Sequence, residues 1–269
     1  MKAQLDYAWR FIATGLCLGV FCLCSLLFSF FVCPVVLCWP RTAARQRVVR
    51  AGIHHVFRGL VALLQGLRVM TLEATGIDAL RERRPAIIVA NHPTWLDVVI
   101  LLSLVPSCCC IVKSALWRNP CFWAIVRAAQ YASNADPAAL IEAGSQQLAQ
   151  GCTVIVFPEG TRSPAQNRLH AFSRGFAHMA LKAGVPILPV LIDCDPPVFT
   201  RARRWYHVPP RAFQMRVKAL EPIDARRLAR HDDAPAHAAR VITRAVQTHM
   251  LHHLFDYGFF KTGTQAIPD

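Results

Sequence analysis

Acidic side chains are scarce in this chain of 269 residues: 16 Asp and Glu stand against 30 Lys and Arg, a formal net charge of +14. Charge of either sign is also low, at 17% of residues, while hydrophobic residues make up 54% and the mean hydropathy is positive. This composition excludes a disordered polypeptide and asks for some contact with lipid. No Cys-x-x-Cys pair occurs among the 11 cysteines, so zinc-ligand spacing is missing and no metal is expected. Five of them, Cys17, Cys22, Cys24, Cys33 and Cys38, share one apolar run, and Cys108, Cys109 and Cys110 are consecutive. Such cysteines act as small hydrophobes, not as a disulfide framework, which suits a reducing, cytoplasm-facing location. Internal repeats, low-complexity linkers and the basic and aromatic motifs of RNA-binding modules are absent too, so nucleic acid is not an expected partner. The positive balance calls instead for anionic headgroups, a phosphorylated substrate or an acidic carrier.

What the chain does have is a stretch of thirty residues without charge, Phe11 to Pro40, flanked by Arg10 and by Arg41, Arg45, Arg47 and Arg50. About 20 apolar residues suffice to cross the hydrocarbon layer. Residues 1–40 are therefore expected to form an uncleaved N-terminal membrane anchor, with a signal peptide or a re-entrant hairpin as the other readings. The heavier arginine load on the C-terminal flank puts the active site on the cytoplasmic side of the inner membrane. Residues 41–84 read as a basic amphipathic membrane-surface region. In it Val49, Ile53, Val56, Leu60, Leu64 and Leu67 recur at helical spacing between arginines. That helix lies either on the bilayer or on the domain that follows.

From residue 85 to 269 short apolar runs alternate with helical stretches, the pattern of an α/β domain with a mixed, largely parallel sheet flanked by helices. Strands are expected at Ala86–Ala90, Cys108–Val112, Thr153–Phe157, Ile187–Ile192 and Phe213–Ala219. Helices are expected at Leu96–Leu104, Leu116–Ala129, Pro137–Gln150, Phe172–Ala183 and about Ala236–Phe255.

The first strand runs into Asn91-His92-Pro93-Thr94-Trp95-Leu96-Asp97. If Thr94 caps the next helix, Asp97 falls in the capping-box position and folds back toward His92. A carboxylate on one ring nitrogen fixes the tautomer and leaves the other to take a proton from a hydroxyl. The segment offers no candidate nucleophile, so the pair suits direct attack by a substrate alcohol. Alone, His-x4-Asp more often means a capping Asp and a loop His. A second strand end, Phe157-Pro158-Glu159-Gly160-Thr161-Arg162-Ser163, adds an acid, a permissive glycine, hydroxyls and a guanidinium. In an open α/β sheet such strand ends converge on the ligand crevice. Arg162 with the Thr161 and Ser163 hydroxyls would cradle a phosphate or a carbonyl oxygen.

Together these segments resemble the glycerolipid acyltransferase family. Asn91–Asp97 is similar to its His-x4-Asp block, Phe157–Ser163 to its Phe-Pro-Glu-Gly-x-x-Ser block and Val185–Val190 to its Val-Pro-Ile-x-Pro-Val block, in that order. The resemblance implies that His92 is the general base and Asp97 its orienting partner, and that Glu159, Gly160, Thr161, Arg162 and Ser163 bind the acceptor. It also implies that a fatty acyl group passes from acyl-CoA or acyl carrier protein to a lysophospholipid hydroxyl, by default that of lysophosphatidate, without metal or other cofactor. Membrane lipid and the acyl donor are the implied partners; the oligomeric state is not specified.

One block departs from the family. Where Gly-x-x-Phe-x-x-Arg usually stands, this chain reads Gln130 to Asp136, and Arg127 comes a turn too early to replace the missing arginine. Acceptors without a phosphomonoester, of the ornithine-lipid or aryl-polyene type, therefore stay open, as does an inactive membrane-bound scaffold. His249 and His253 could share a helix face as metal ligands but are read as peripheral. Arg201, Arg203, Arg204 and Arg211, with Trp205 and Tyr206, would be a solvated loop or a dock for phospholipid or an acidic carrier. Trp117 and Trp123 belong to core or to an acyl tunnel.

Overall fold

The computed structural model describes residues 2–40, 42–82, 85–119, 122–164, 168–200, 206–229 and 234–256. Seven strands, β1 (Met70–Thr75), β2 (Ile87–Ala90), β3 (Cys109–Val112), β4 (Ala132–Ser133), β5 (Val154–Val156), β6 (Ile187–Asp195) and β7 (Phe213–Ala219), form one sheet in the order β1-β7-β6-β2-β5-β3-β4. All pairings are parallel except β6 with β7. The central strands are buried on both faces, which is why they read as unbroken apolar runs instead of alternating ones.

Helices cover both faces. One layer holds α1 (Lys2–Leu27), α2 (Cys33–Cys38), α3 (Ala43–Gly66), α5 (Asp97–Leu104) and α6 (Trp123–Ala129), which pack on one another. The other holds α7 (Pro137–Ala149), α8 (Gly175–Ala183), α9 (Ala225–Leu228) and α10 (Pro235–Asp256). A short α4 (Ile77–Glu82) follows β1 and packs on β7. The α/β architecture and its mostly parallel sheet are those expected from the pattern of runs.

Three features differ from expectation. β1 is a strand of the main sheet, paired with β7 from Met70 to Thr75, although a domain boundary was expected at residue 84. Its pairing partner lies some 140 residues downstream, so no local pattern marks it. The helix expected over Leu116–Ala129 is two pieces, a 3-10 turn at Ser114–Trp117 and α6. Trp117 is half-buried and Trp123 exposed, the latter with the Arg127 guanidinium 5.5 Å from its ring centre.

α3 is the third. Its basic side chains do not all turn outward: Arg45 and Arg50 are buried. Arg45 donates to Trp39 O at 2.9 Å. Arg50 donates to Ala129 O at 3.0 and 3.1 Å and to Gln147 Oε1 at 2.7 Å, while His54 Nδ1 lies 2.7 Å from Leu102 O. One side of this helix packs on the domain, where its desolvated guanidinium groups find carbonyls, and the other side leaves Val48 and Val56 exposed.

α1 and its continuation, Gln4–Val36, form 33 residues long and apolar enough to cross a membrane by length and composition. One side of it nevertheless lies on the domain. Trp9 Nε1 donates to Leu67 O at 3.0 Å, Arg10 to Pro209 O at 3.3 Å and Pro210 O at 2.7 Å, and the Phe21 ring sits 6.2 to 6.3 Å from those of Phe57, Trp95 and Phe122. The other side leaves Leu5, Ile12, Leu16, Leu23, Leu27, Phe30 and Phe31 exposed.

Candidate active site

The parallel strands β2 and β5 deliver their following loops to the same end of the sheet, and β6 supplies the third wall. Asn91 is buried where β2 pairing with β6 ends. Its Nδ2 donates to Ile192 O at 2.8 Å and its Oδ1 accepts from Ile192 N at 2.7 Å, so the side chain continues the ladder by one step. This double bond holds the strand end that carries His92. The Asn91 anchor was not singled out in sequence, where an asparagine after a strand signals only a turn.

His92 Nδ1 lies 2.8 Å from Asp97 Oδ2, and Asp97 is fully buried at 0% exposure. The carboxylate also accepts the Thr94 backbone N–H at 2.8 Å on Oδ2 and the Thr94 hydroxyl at 2.6 Å on Oδ1. Thr94 Oγ1 in turn accepts from Leu96 N at 3.1 Å. The capping reading thus holds for the Asp97 half, and the helix begins at Asp97 itself. Burial pushes the Asp97 carboxyl up, and the bonds from His92 and Thr94 pull it back toward the charged form. With Nδ1 engaged, the imidazole offers Nε2 to a substrate; the ring packs against Phe157 at 4.5 Å between centroids.

The second loop meets the first through backbone. Ser163 N donates to His92 O at 2.7 Å, and His92 N donates to Ser163 Oγ at 2.9 Å and to Glu159 Oε1 at 3.2 Å. Glu159 Oε1 also accepts the Ser163 hydroxyl, and Oε2 accepts His170 N at 2.9 Å. Glu159, expected to bind acceptor, is buried and spends its oxygens on the protein. Ser163 does the same, so both position the His92 backbone. Gly160 closes the turn with φ +66°, a left-handed conformation that explains the glycine, and its N–H donates to Phe157 O at 3.1 Å. Thr161 is half-buried. Arg162 Nη1 donates to Phe199 O at 2.9 Å and Thr200 O at 3.0 Å, clasping the loop after β6.

In the block that departs from the family, Gln130 has φ +52°, the left-handed position where glycine would be at ease. Asp136 caps α7 by accepting Ala138 N at 2.9 Å, so it serves the helix and not a ligand. Arg211 is paired with Asp195 at 2.7 Å; Arg201 to Trp205 lie outside the described residues. Among the described residues no group of three or more His, Cys, Asp or Glu converges as a metal site, and the His249 and His253 rings of α10 meet edge to face at 4.6 Å. A small apolar recess of about 10 Å³ lies beside the site, lined by Cys17, Leu18 and Phe21 of α1, Leu60 and Leu64 of α3, and Trp95, Leu96 and Phe199.

The site thus consists of a histidine oriented by a buried carboxylate, at the converging ends of parallel strands and on a loop stitched to a second motif. Residues 71–193 match the Acyltransferase family model. Among its relatives, human 1-acyl-sn-glycerol-3-phosphate acyltransferase alpha is 27% identical over 223 residues, covering 80% of this chain and 74% of the relative. The 1-acyl-sn-glycerol-3-phosphate acyltransferase of Pseudomonas aeruginosa is 28% identical over 168 residues, 60% and 62% of the two chains. The crystal structure of the 1-acyl-sn-glycerophosphate acyltransferase PlsC from Thermotoga maritima shares the fold, with a TM-score of 0.63 at 24% identity over 89% of this chain and 97% of that one.

Proposed function

We propose that this chain is a membrane-bound O-acyltransferase that moves a fatty acyl group from acyl-CoA or acyl carrier protein to the free hydroxyl of 1-acyl-sn-glycerol-3-phosphate, giving phosphatidic acid. The observation that carries the reading is the His92–Asp97 pair, 2.8 Å apart and immobilised by Thr94. His92 Nε2 takes the proton of the acceptor hydroxyl as its oxygen attacks the thioester carbonyl. The tetrahedral intermediate then collapses, the C–S bond breaks and the proton passes from the imidazolium to the departing thiolate. Asp97 stabilises the imidazolium between the two transfers.

The chain sits on the membrane through α1. Because one side of α1 is held on the domain by Trp9, Arg10 and Phe21, a perpendicular crossing would drag α3 and the active-site loop into hydrocarbon. An in-plane seat, with the exposed apolar side of α1 in one leaflet and the catalytic domain in the cytoplasm, meets both constraints. A tag on the N-terminus should then be proteolysed from the same side as the domain in sealed vesicles; protection of the tag alone would restore a spanning anchor.

A second acceptor reading is favoured by Arg162, whose Nη1 is bound to the Phe199 and Thr200 carbonyls, and by Asp136 where the family carries arginine. An acceptor without a phosphomonoester needs less cationic clamp. Competition between equal amounts of lysophosphatidate and lyso-lipids lacking that group decides: exclusive phosphatidate formation supports the proposal, and its absence defeats it.

A further inference from the structure

A lipid acceptor and a water-soluble thioester donor have to reach His92 together, and the two helical layers have opposite chemistries. On the layer of α1 and α3 the free side of α1 is apolar. The opposite layer meets the active site through the segment 168–174. Ser173 N donates to Pro158 O and His170 N to Glu159 Oε2, both at 2.9 Å, and Gln247 of α10 donates to His170 O at 3.2 Å. This segment, the start of α8 and the outer side of α10 therefore make one surface, separated from the His92 backbone by a single carboxylate.

Among the described residues this surface carries more cations than anions. Arg168, His170 and Arg174 are exposed on the segment, and Arg240 and Arg244 on α10. No Asp or Glu occurs between Glu159 and Asp193, nor between Pro235 and Phe255. Among the described residues none of the four arginines makes an ion pair, whereas Lys182 at the far end of α8 is paired with Glu142. Anionic headgroups do not account for these charges, because the apolar side of α1 belongs to the layer across the sheet. Their spacing also tells against a compact polyphosphate: Arg240 and Arg244 stand a helical turn apart, about 6 Å along α10, and Arg168 and Arg174 lie on another element. Cations strung over two elements match carboxylates strung along a protein surface.

We infer that the face built from residues 168–174 and α10 docks an acidic acyl carrier protein, so that the carrier delivers its thioester from the side opposite the lipid. This rests on the acyl-transfer reading of His92 and names the donor's place on the molecule. Steered encounter, more than tight binding, is what such a rim of charges supplies.

The test compares palmitoyl-acyl carrier protein with palmitoyl-CoA as donors for the full-length protein in detergent, wild type against the Arg174→Glu, Arg244→Glu double variant. KM for the carrier-bound donor should rise roughly tenfold or more and the wild-type advantage should fade with salt. The kcat with either donor and KM for palmitoyl-CoA should stay within about twofold, and the Lys, Lys double variant should recover most of the loss. An equal rise with both donors would overturn the dock in favour of a site for the phosphorylated pantetheine they share. An unchanged KM for the carrier would overturn it outright. Binding of labelled holo-carrier, followed by fluorescence anisotropy, separates this from the proposed function. If the wild type transfers no acyl group to any acceptor, the acyl-transfer reading fails, while salt-sensitive carrier binding lost on charge reversal still upholds the dock and absence of binding sinks it.

Discussion

The two strand-end loops of the active site have similar sequence character and different structural fates. In 91–97 the chemically active group stays available: Asp97 is buried and saturated with bonds so that one nitrogen of His92 is left to act. In 157–163 the groups that look most like ligands, Glu159 and Ser163, are turned into the protein and hold the His92 backbone. A carboxylate beside a catalytic histidine can thus serve by bonding its ring or by bonding its main chain, and only the first is expected to take part in proton transfer.

The sharpest way to break that contrast is His92→Ala. Loss of the general base should cost about 10²–10⁴-fold in kcat at unchanged melting temperature; near wild-type turnover would falsify the mechanism. Glu159→Gln comes next. It keeps an acceptor oxygen but replaces the other by a donor facing His170 N, so kcat should fall about tenfold and stability by about 1–3 kcal/mol, with KM for the acceptor nearly constant. A selective rise in that KM would instead make Glu159 an acceptor ligand and erase the difference between the loops.

Arg162 tests the same contrast more gently. Arg162→Ala releases the Phe199 and Thr200 carbonyls and removes a cation from the crevice, so KM for lysophosphatidate should rise several-fold, and Arg162→Lys should recover part of it without the planar fork. A lower melting temperature with no change in KM would assign the residue wholly to loop closure.

The smallest effect concerns pH. Burial pushes the Cys109 and Cys194 thiols up to about 12 from an ordinary value of 9.0. A raised folded value means that the stabilising difference is complete below pH 9 and is lost as pH rises toward 12, because the unfolded thiols ionise first. The melting temperature should therefore fall from pH 9 upward, and Cys109→Ala should flatten that fall. An unchanged slope in the variant would remove Cys109 as a contributor.

Much of this was legible in the residues. Runs such as Ile87–Ala90 and Val154–Val156 are buried on both faces and so announce themselves by composition alone. His92 and Asp97 could be paired from spacing, since the tight turn at Thr94 that leads into the helix folds Asp97 back toward His92. β1 was not legible, because Met70–Thr75 alternates weakly and becomes a strand only through β7. The direction of Glu159 was not legible either: a carboxylate at a strand end has the same sequence whether it faces ligand or backbone.

The sequence by itself determined the alternation of strands and helices, the apolar N-terminal helix and the His92–Asp97 pair, since each depends on contacts within a few residues. Tertiary structure alone decided that Arg45 and Arg50 turn inward, that α1 lies along the domain, that Glu159 and Ser163 hold the His92 backbone, and that Gln247 of α10 meets His170. Those outcomes depend on groups far apart in the chain competing for the same carbonyls, amides and solvent, and that competition is resolved only when the sheet has brought them together.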